Sequence, residues 1–217
     1  MSIIMEKEIK KLEKLVSNIS VKVEENLNEV IKALIDSNVS SAKSIKEKDN
    51  EIDLLEIEVE EECLKILALH QPVAIDLRYI IAVLKINNDL ERIGDLTTNI
   101  ARVVIVLSKE NKVRVPDTIP QMTDIVLKML KKSLDSLFSK NLKLALKVQS
   151  YDDEVDQLNA DMYKMVQNAI NDGSGSISQL FPLLSVSRYL ERIADHATNI
   201  AEDVEYYVKG KITRHHQ

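Results

Sequence analysis

Glu91, Asp95 and Asn99 stand four residues apart, as do Glu191, Asp195 and Asn199. On a helix this spacing stacks side chains on one face, so each trio forms a row of oxygen ligands. Two further pairs, Asp49 with Asp53 and Asp152 with Asp156, repeat the spacing. Asp49 lies within the apolar stripe of Ile45 and Ile52, and Asp152 within that of Val148 and Val155, so each carboxylate occupies a place where a core residue belongs. Like charges four apart weaken a helix by roughly 0.2–0.5 kcal/mol. Burying an unpaired carboxylate costs far more. Each group sets four carboxylates against one nearby arginine, Arg92 or Arg192, and keeps a surplus of negative charge. Oxygen-rich sites without thiolate suit hard cations such as Mg²⁺, Mn²⁺ or Ca²⁺, with iron and zinc as further candidates. The plainer reading is a solvated acidic face carrying a salt-bridge ladder of little energetic weight. That reading predicts no metal-dependent change in stability.

Other residues carry weaker signals. His196 sits beside Asp195, but its counterpart in the first row is Leu96, which points to a helix-surface histidine. Gly94 and Ala194 are small residues that permit close helix approach. Cys63 lies on an apolar stripe and reads as a core thiol. No Glu-x-x-His pair of the di-iron bundle type occurs. No nucleophile stands at usable spacing from a base, so an enzyme is not expected. A carboxylate-bridged metal enzyme and a metal-free helical scaffold are the alternatives. There is no Gly-rich loop or arginine cluster to cradle phosphate.

The elements that hold these rows are long helices. From Leu12, apolar residues recur at Leu15, Ile19, Val23, Leu27, Val30 and Leu34, the three-and-four spacing of one helix face. The pattern predicts helices over 3–36, 38–69 and 74–109, with a stop at Gln71-Pro72. Residues 113–117 read as a linker, and Thr118-Ile119-Pro120-Gln121 has the form of a capping box opening a fourth helix to about Ser139. A fifth helix is expected over 141–171, a loop over 172–176, and a sixth helix running to Lys209 before Gly210. The halves repeat. Asn38, Ala42, Asp49, Glu51 and Asp53 recur as Asn141, Ala145, Asp152, Glu154 and Asp156 at an offset of 103, and the stretch 90–101 recurs as 190–201 at an offset of 100. The expected fold is all-α, two tandem three-helix bundles of six long helices, divided as 1–112 and 113–217.

Composition agrees with long packed helices. Hydrophobic residues make up 45% and aromatics only 4%, with four Gly and four Pro, so the core must be built from aliphatic side chains. The net charge of −6 lacks the clustered basic excess that a nucleic-acid partner requires. One cysteine excludes an internal disulfide and fits a reducing compartment. Apolar runs fall short of the ~18 residues of a membrane span. A cytoplasmic protein without membrane insertion is expected.

With these residues in view, the chain resembles the PhoU family over nearly its whole length. The family's tandem E/D-x-x-x-D motifs correspond to Asp49 to Asp53, Glu91 to Asp95, Asp152 to Asp156 and Glu191 to Asp195. Gln71-Pro72-Val73-Ala74-Ile75-Asp76-Leu77-Arg78 is similar to the family's turn, and Leu-Glu-Arg-Ile-Gly/Ala-Asp followed by Thr-Asn-Ile-Ala is its most specific signature, present twice. The resemblance implies metal ions or clusters (Mg, Mn, Fe or Zn) on those faces and frequent homodimers. It also implies negative regulation of phosphate uptake and of the phosphate-starvation response, through contact with the ATPase subunit of the phosphate ABC transporter and a sensor histidine kinase.

Overall fold

A computed structural model describes residues 3–110 and 113–211. Its elements are α1 Ile3–Ile35, α2 Val39–His70, α3 Ala74–Leu107, α4 Thr118–Ser139, α5 Leu142–Gln149, α6 Asp152–Asn171 and α7 Ile177–Lys209. The division expected at residue 112 falls outside the described residues.

The apolar stripe of α1 is buried at Leu12, Ile19, Val23, Leu27, Val30 and Leu34, with Leu15 partly buried at its edge, and Ala42, Ile45, Ile52, Val59, Cys63 and Ile66 form the matching stripe of α2. Burial pushes the Cys63 thiol up to about 12. The repeat extends to the backbone at the first turn of each unit. Ser37 and Lys140 both adopt left-handed conformations, each followed by an asparagine N-cap. Asn38 accepts from the Ser41 N–H at 3.1 Å and Asn141 from the Lys143 N–H at 3.0 Å. These caps satisfy donors that a helix start leaves open.

Two local expectations are corrected. The fifth helix is two: α5 stops at Gln149 and α6 restarts at Asp152. The Ser150 hydroxyl donates to the Lys147 carbonyl at 2.8 Å, and the Tyr151 N–H turns instead to the Val148 carbonyl at 3.0 Å. A side chain thus takes the acceptor the helical ladder needed. The capping box at Thr118 also does not form. Asp117 is already helical, with φ −61° and ψ −21°, and no side-chain cap bond is made. The Gln121 N–H donates to the Asp117 carbonyl, so Thr118 lies inside the helix rather than at its threshold.

α1, α2 and α3 pack on one another, as do α4, α5, α6 and α7, and the most extensive packing of all joins α3 to α7 across the units. One continuous aliphatic core results. The two long helices cross antiparallel: Arg78 Nε donates to the Tyr207 carbonyl at 3.3 Å, Lys85 pairs with Asp203 at 3.3 Å, and Asp89 meets His196 at 2.8 Å. Within the first unit, Gly94 sets the approach of α3 to α2. A Cβ built on Gly94 would stand 3.1 Å from Ile52 Cδ1 and 3.3 Å from its Cγ2. The second unit carries Ala194 at this position, itself buried. No helix of the described residues is long and apolar enough to cross a membrane.

Gly94→Val should therefore overpack the contact and cost about 1–3 kcal/mol, read from urea unfolding. Gly94→Ala should stay near neutral, because the ~1 kcal/mol gain in helix propensity offsets the tight Ile52 contact. Equal stability of Gly94→Val and the parent chain would remove close approach as the reason for the glycine.

A paired carboxylate face as the candidate functional site

Close approach at Gly94 brings the acidic pair of α2 beside the acidic row of α3. Asp49 is half-buried; burial raises its pKa, and the Asp53 and Asp95 charges raise it further, against the Thr98 hydroxyl and Arg102, which lower it. Glu91 is also raised, by burial first, then by Asp95, with Asp53 and Glu56 adding to it. Arg92 offsets part of this, its Nε 3.3 Å from Glu91 and one guanidinium nitrogen 3.2 Å from Asp95. Asp49, Asp53, Glu91 and Asp95 thus share one electrostatic field. Asn99, the fifth residue of the set, is drawn away: its side-chain oxygen accepts from Arg102 at 2.6 Å.

The second unit repeats the arrangement on α6 and α7. Asp152 is raised by burial, then by Asp195 and Asp156, while the Thr198 hydroxyl donates to it at 3.3 Å. Glu191 is raised by burial and by the same two aspartates. Asp195 lies at the surface, yet partial loss of hydration and Asp156 raise it too, against His196 and Arg192. Asn199 instead lines the cleft between α3 and α7. Asp152, Asp153 and Glu154 occupy the first turn of α6, where the helix dipole favours negative charge.

Asp49 and Asp152 are half-buried rather than sealed in the core as their stripe position suggested. The carboxylates with the least exposure are Glu62, Asp89, Asp203 and Glu205. Thr98 and Thr198, which hydrogen-bond Asp49 and Asp152, are neighbours that helix spacing alone does not reveal, although Thr-Asn-Ile-Ala stands in both repeats. His196 is no simple surface residue, since it reaches across the seam to the largely buried Asp89. The donor set is oxygen-only and mutually repelling, with Asp49, Glu91, Asp95, Asp152 and Glu191 partly buried and Asp53, Asp156 and Asp195 exposed, which fits a hard cation in chemistry and charge. Among the described residues, no three acidic, His or Cys side chains already stand in a coordinating group.

Against known proteins, the profile of the PhoU domain matches residues 16–104 and again 119–204. The chain belongs to the PhoU family. It is 40% identical over 185 residues to a phosphate-specific transport system accessory protein PhoU homolog of Zymomonas mobilis, covering 85% of this chain and 78% of that one. It is 35% identical to PhoU homolog 1 of Thermotoga maritima, with 95% and 89% covered. The fold overlays the crystal structure of PhoU from Pseudomonas aeruginosa with a TM-score of 0.91 at 35% identity, covering 95% of this chain and 99% of that one. The PhoU of Streptococcus pneumoniae gives the same TM-score at 28% identity, over 97% of this chain and 100% of that one.

Because their folded pKa values are raised, Asp49, Glu91, Asp152, Glu191 and Asp195 bind protons more readily folded than unfolded. Stability then falls as pH rises from the ordinary carboxylate range near 4 through the raised folded values. The chelator-treated chain should melt higher at about pH 5 than at about pH 7. Asp152→Asn combined with Asp195→Asn should flatten that slope and raise the melting temperature at neutral pH. An unchanged slope would show that the row carries no electrostatic cost.

Proposed function

We propose that this PhoU-family chain is an accessory protein of phosphate transport that acts by protein contact rather than catalysis and negatively regulates uptake. In this reading it works in the cytoplasm as a homodimer, engaging the ATPase subunit of a phosphate ABC transporter and a sensor histidine kinase. The observation that carries the reading is the near-complete correspondence with proteins named as phosphate-specific transport system accessory proteins, in sequence and in fold. Both copies of the carboxylate face fall within the residues matched to the family.

The same reading assigns the two faces to divalent or iron-type metal ions. Asp49, Asp53, Glu91 and Asp95 would hold one site and Asp152, Asp156, Glu191 and Asp195 the other, with Asn99 and Asn199 at the end of each row. A bound cation would supply the positive charge that Arg92 alone does not provide. The chain's own part is to hold acidic side chains from two helices in one half-dry field, so that metal occupancy is coupled to how those helices pack.

Deletion of the gene should raise phosphate uptake under phosphate-replete conditions, and the intact chain should restore repression. Uptake unaffected by deletion would end the regulatory reading. For the metal, elemental analysis of protein purified without chelator should find bound ions that Asp95→Ala plus Asp195→Ala removes, and chelation should lower the melting temperature of the parent chain alone. Identical metal-free melting of both proteins would return the rows to solvated helix faces.

A further inference from the structure

The antiparallel seam of α3 and α7 opens into two clefts along its length, and the internal repeat relates the two. One cleft, of about 490 Å³, is lined by Lys85, Asp89, Glu202 and Asp203 among others. The other, of about 310 Å³, is lined by Arg102, Val103, Val106, Phe181, Pro182 and Tyr189 together with Asn99 and Ser185. At the offset of 100, Glu202 corresponds to Arg102, Asp203 to Val103 and Asp89 to Tyr189. The chain thus contains its own comparison: one backbone setting, acidic and polar in one copy, apolar and arginine-bearing in the other.

Val106 is 51% exposed and Phe181 53%, and Ile177, one turn before Phe181, is 60% exposed. Val106 and Phe181 gather at a concavity, as residues at a recognition site do, rather than lying scattered over the surface. Among the described residues that line this cleft there is no carboxylate, and Arg102 is its cation. Arg188, exposed, stands at the position that is Asn88 on the polar side.

We propose that this apolar cleft is the docking site for a segment of a partner protein that presents a bulky apolar side chain beside a carboxylate. The apolar group would cover Val103, Val106, Phe181 and Pro182, and the carboxylate would meet Arg102. A basic segment would face Arg102 and Arg188 with like charge, which selects against it. Arg102 also joins the cleft to the carboxylate face: it donates to Asn99 at 2.6 Å, and its charge acts on Asp49. A docked carboxylate competes with Asn99 and Asp49 for this guanidinium, so occupation of the cleft alters the charge balance of the first row. The proposal deepens the reading of the chain as a regulator by protein contact and rests on that reading for its partner.

The test uses the full chain and a fluorescein-labelled peptide alternating Phe or Leu with Asp or Glu, followed by anisotropy, with a control in which Lys replaces every acidic residue. The acidic peptide should bind and the basic one should not. Phe181→Gln with Val106→Gln, both surface changes, should weaken binding by about tenfold or more. Arg102→Gln should remove the preference for the acidic peptide, whereas Glu202→Gln in the opposite cleft should leave binding unchanged. Equal binding of both peptides, or binding indifferent to the cleft variants, overturns the proposal. Self-association in sedimentation that the same double variant abolishes also overturns it, by giving the cleft to a second copy. Phosphate uptake separates this from the functional reading: binding with no effect on uptake keeps the cleft and loses the regulator, and regulation intact alongside indifferent variants does the reverse.

Discussion

The antiparallel contact of α3 with α7 is the constraint on which the rest of the molecule depends. Each unit alone packs three or four helices around a modest aliphatic core, and few aromatic side chains are present to enlarge it. Joining the units along α3 and α7 turns two small cores into one, and a larger core buries a greater share of its surface. That contact then dictates what remains outside. With one flank of α3 committed to α1 and α2 and another to α7, its acidic row is left at the margin of the α2 packing. The same holds for α7 against α6.

At that margin, electrostatics and packing work against each other. Close approach of α2 and α3 removes water from carboxylates that have few positive partners. The protein offsets this only in part, through Thr98, Arg92 and Arg102 in one unit and through Thr198, Arg192 and the start of α6 in the other. Polar clusters left incompletely neutralised persist in native folds chiefly where a ligand or a function uses them. The least exposed carboxylates, which have basic partners close by, lie elsewhere. Asp203 with Lys85, Asp89 with His196 and Glu62 with Lys11 and Lys65 are structural pairs.

Much of this was legible beforehand because helix periodicity reports which face is apolar. The stripes of α1 and α2, the turn at Pro72 and the left-handed Gly210 all follow from residue types at fixed spacing. The repeat added the pairing of Asn38 with Asn141 and showed that two acidic faces exist. Periodicity does not say what a face meets, however. The sequence neighbours of His196 give no hint of its partner Asp89, which lies 107 residues away. The break after Gln149 hid for a different reason: Ser133 and Ser136 make the same serine-to-carbonyl bond inside unbroken α4, so the residue type at Ser150 does not mark the break. Thr118 failed as a cap because helical geometry had already begun at Asp117, a backbone choice that the side-chain pattern does not encode.

The break between α5 and α6 gives the two acidic faces different mechanical characters. In the first unit Asp49 sits inside a 32-residue helix and is braced by turns on either side. In the second, Asp152 begins a new helix just after α5, which has only 8 residues. A helix that short holds its shape through tertiary contact rather than its own cooperativity, and such segments open locally at lower free energy than the body of a fold. Two faces built from the same residue types are therefore held differently, one within a long continuous helix and the other next to a short segment that depends on its tertiary contacts.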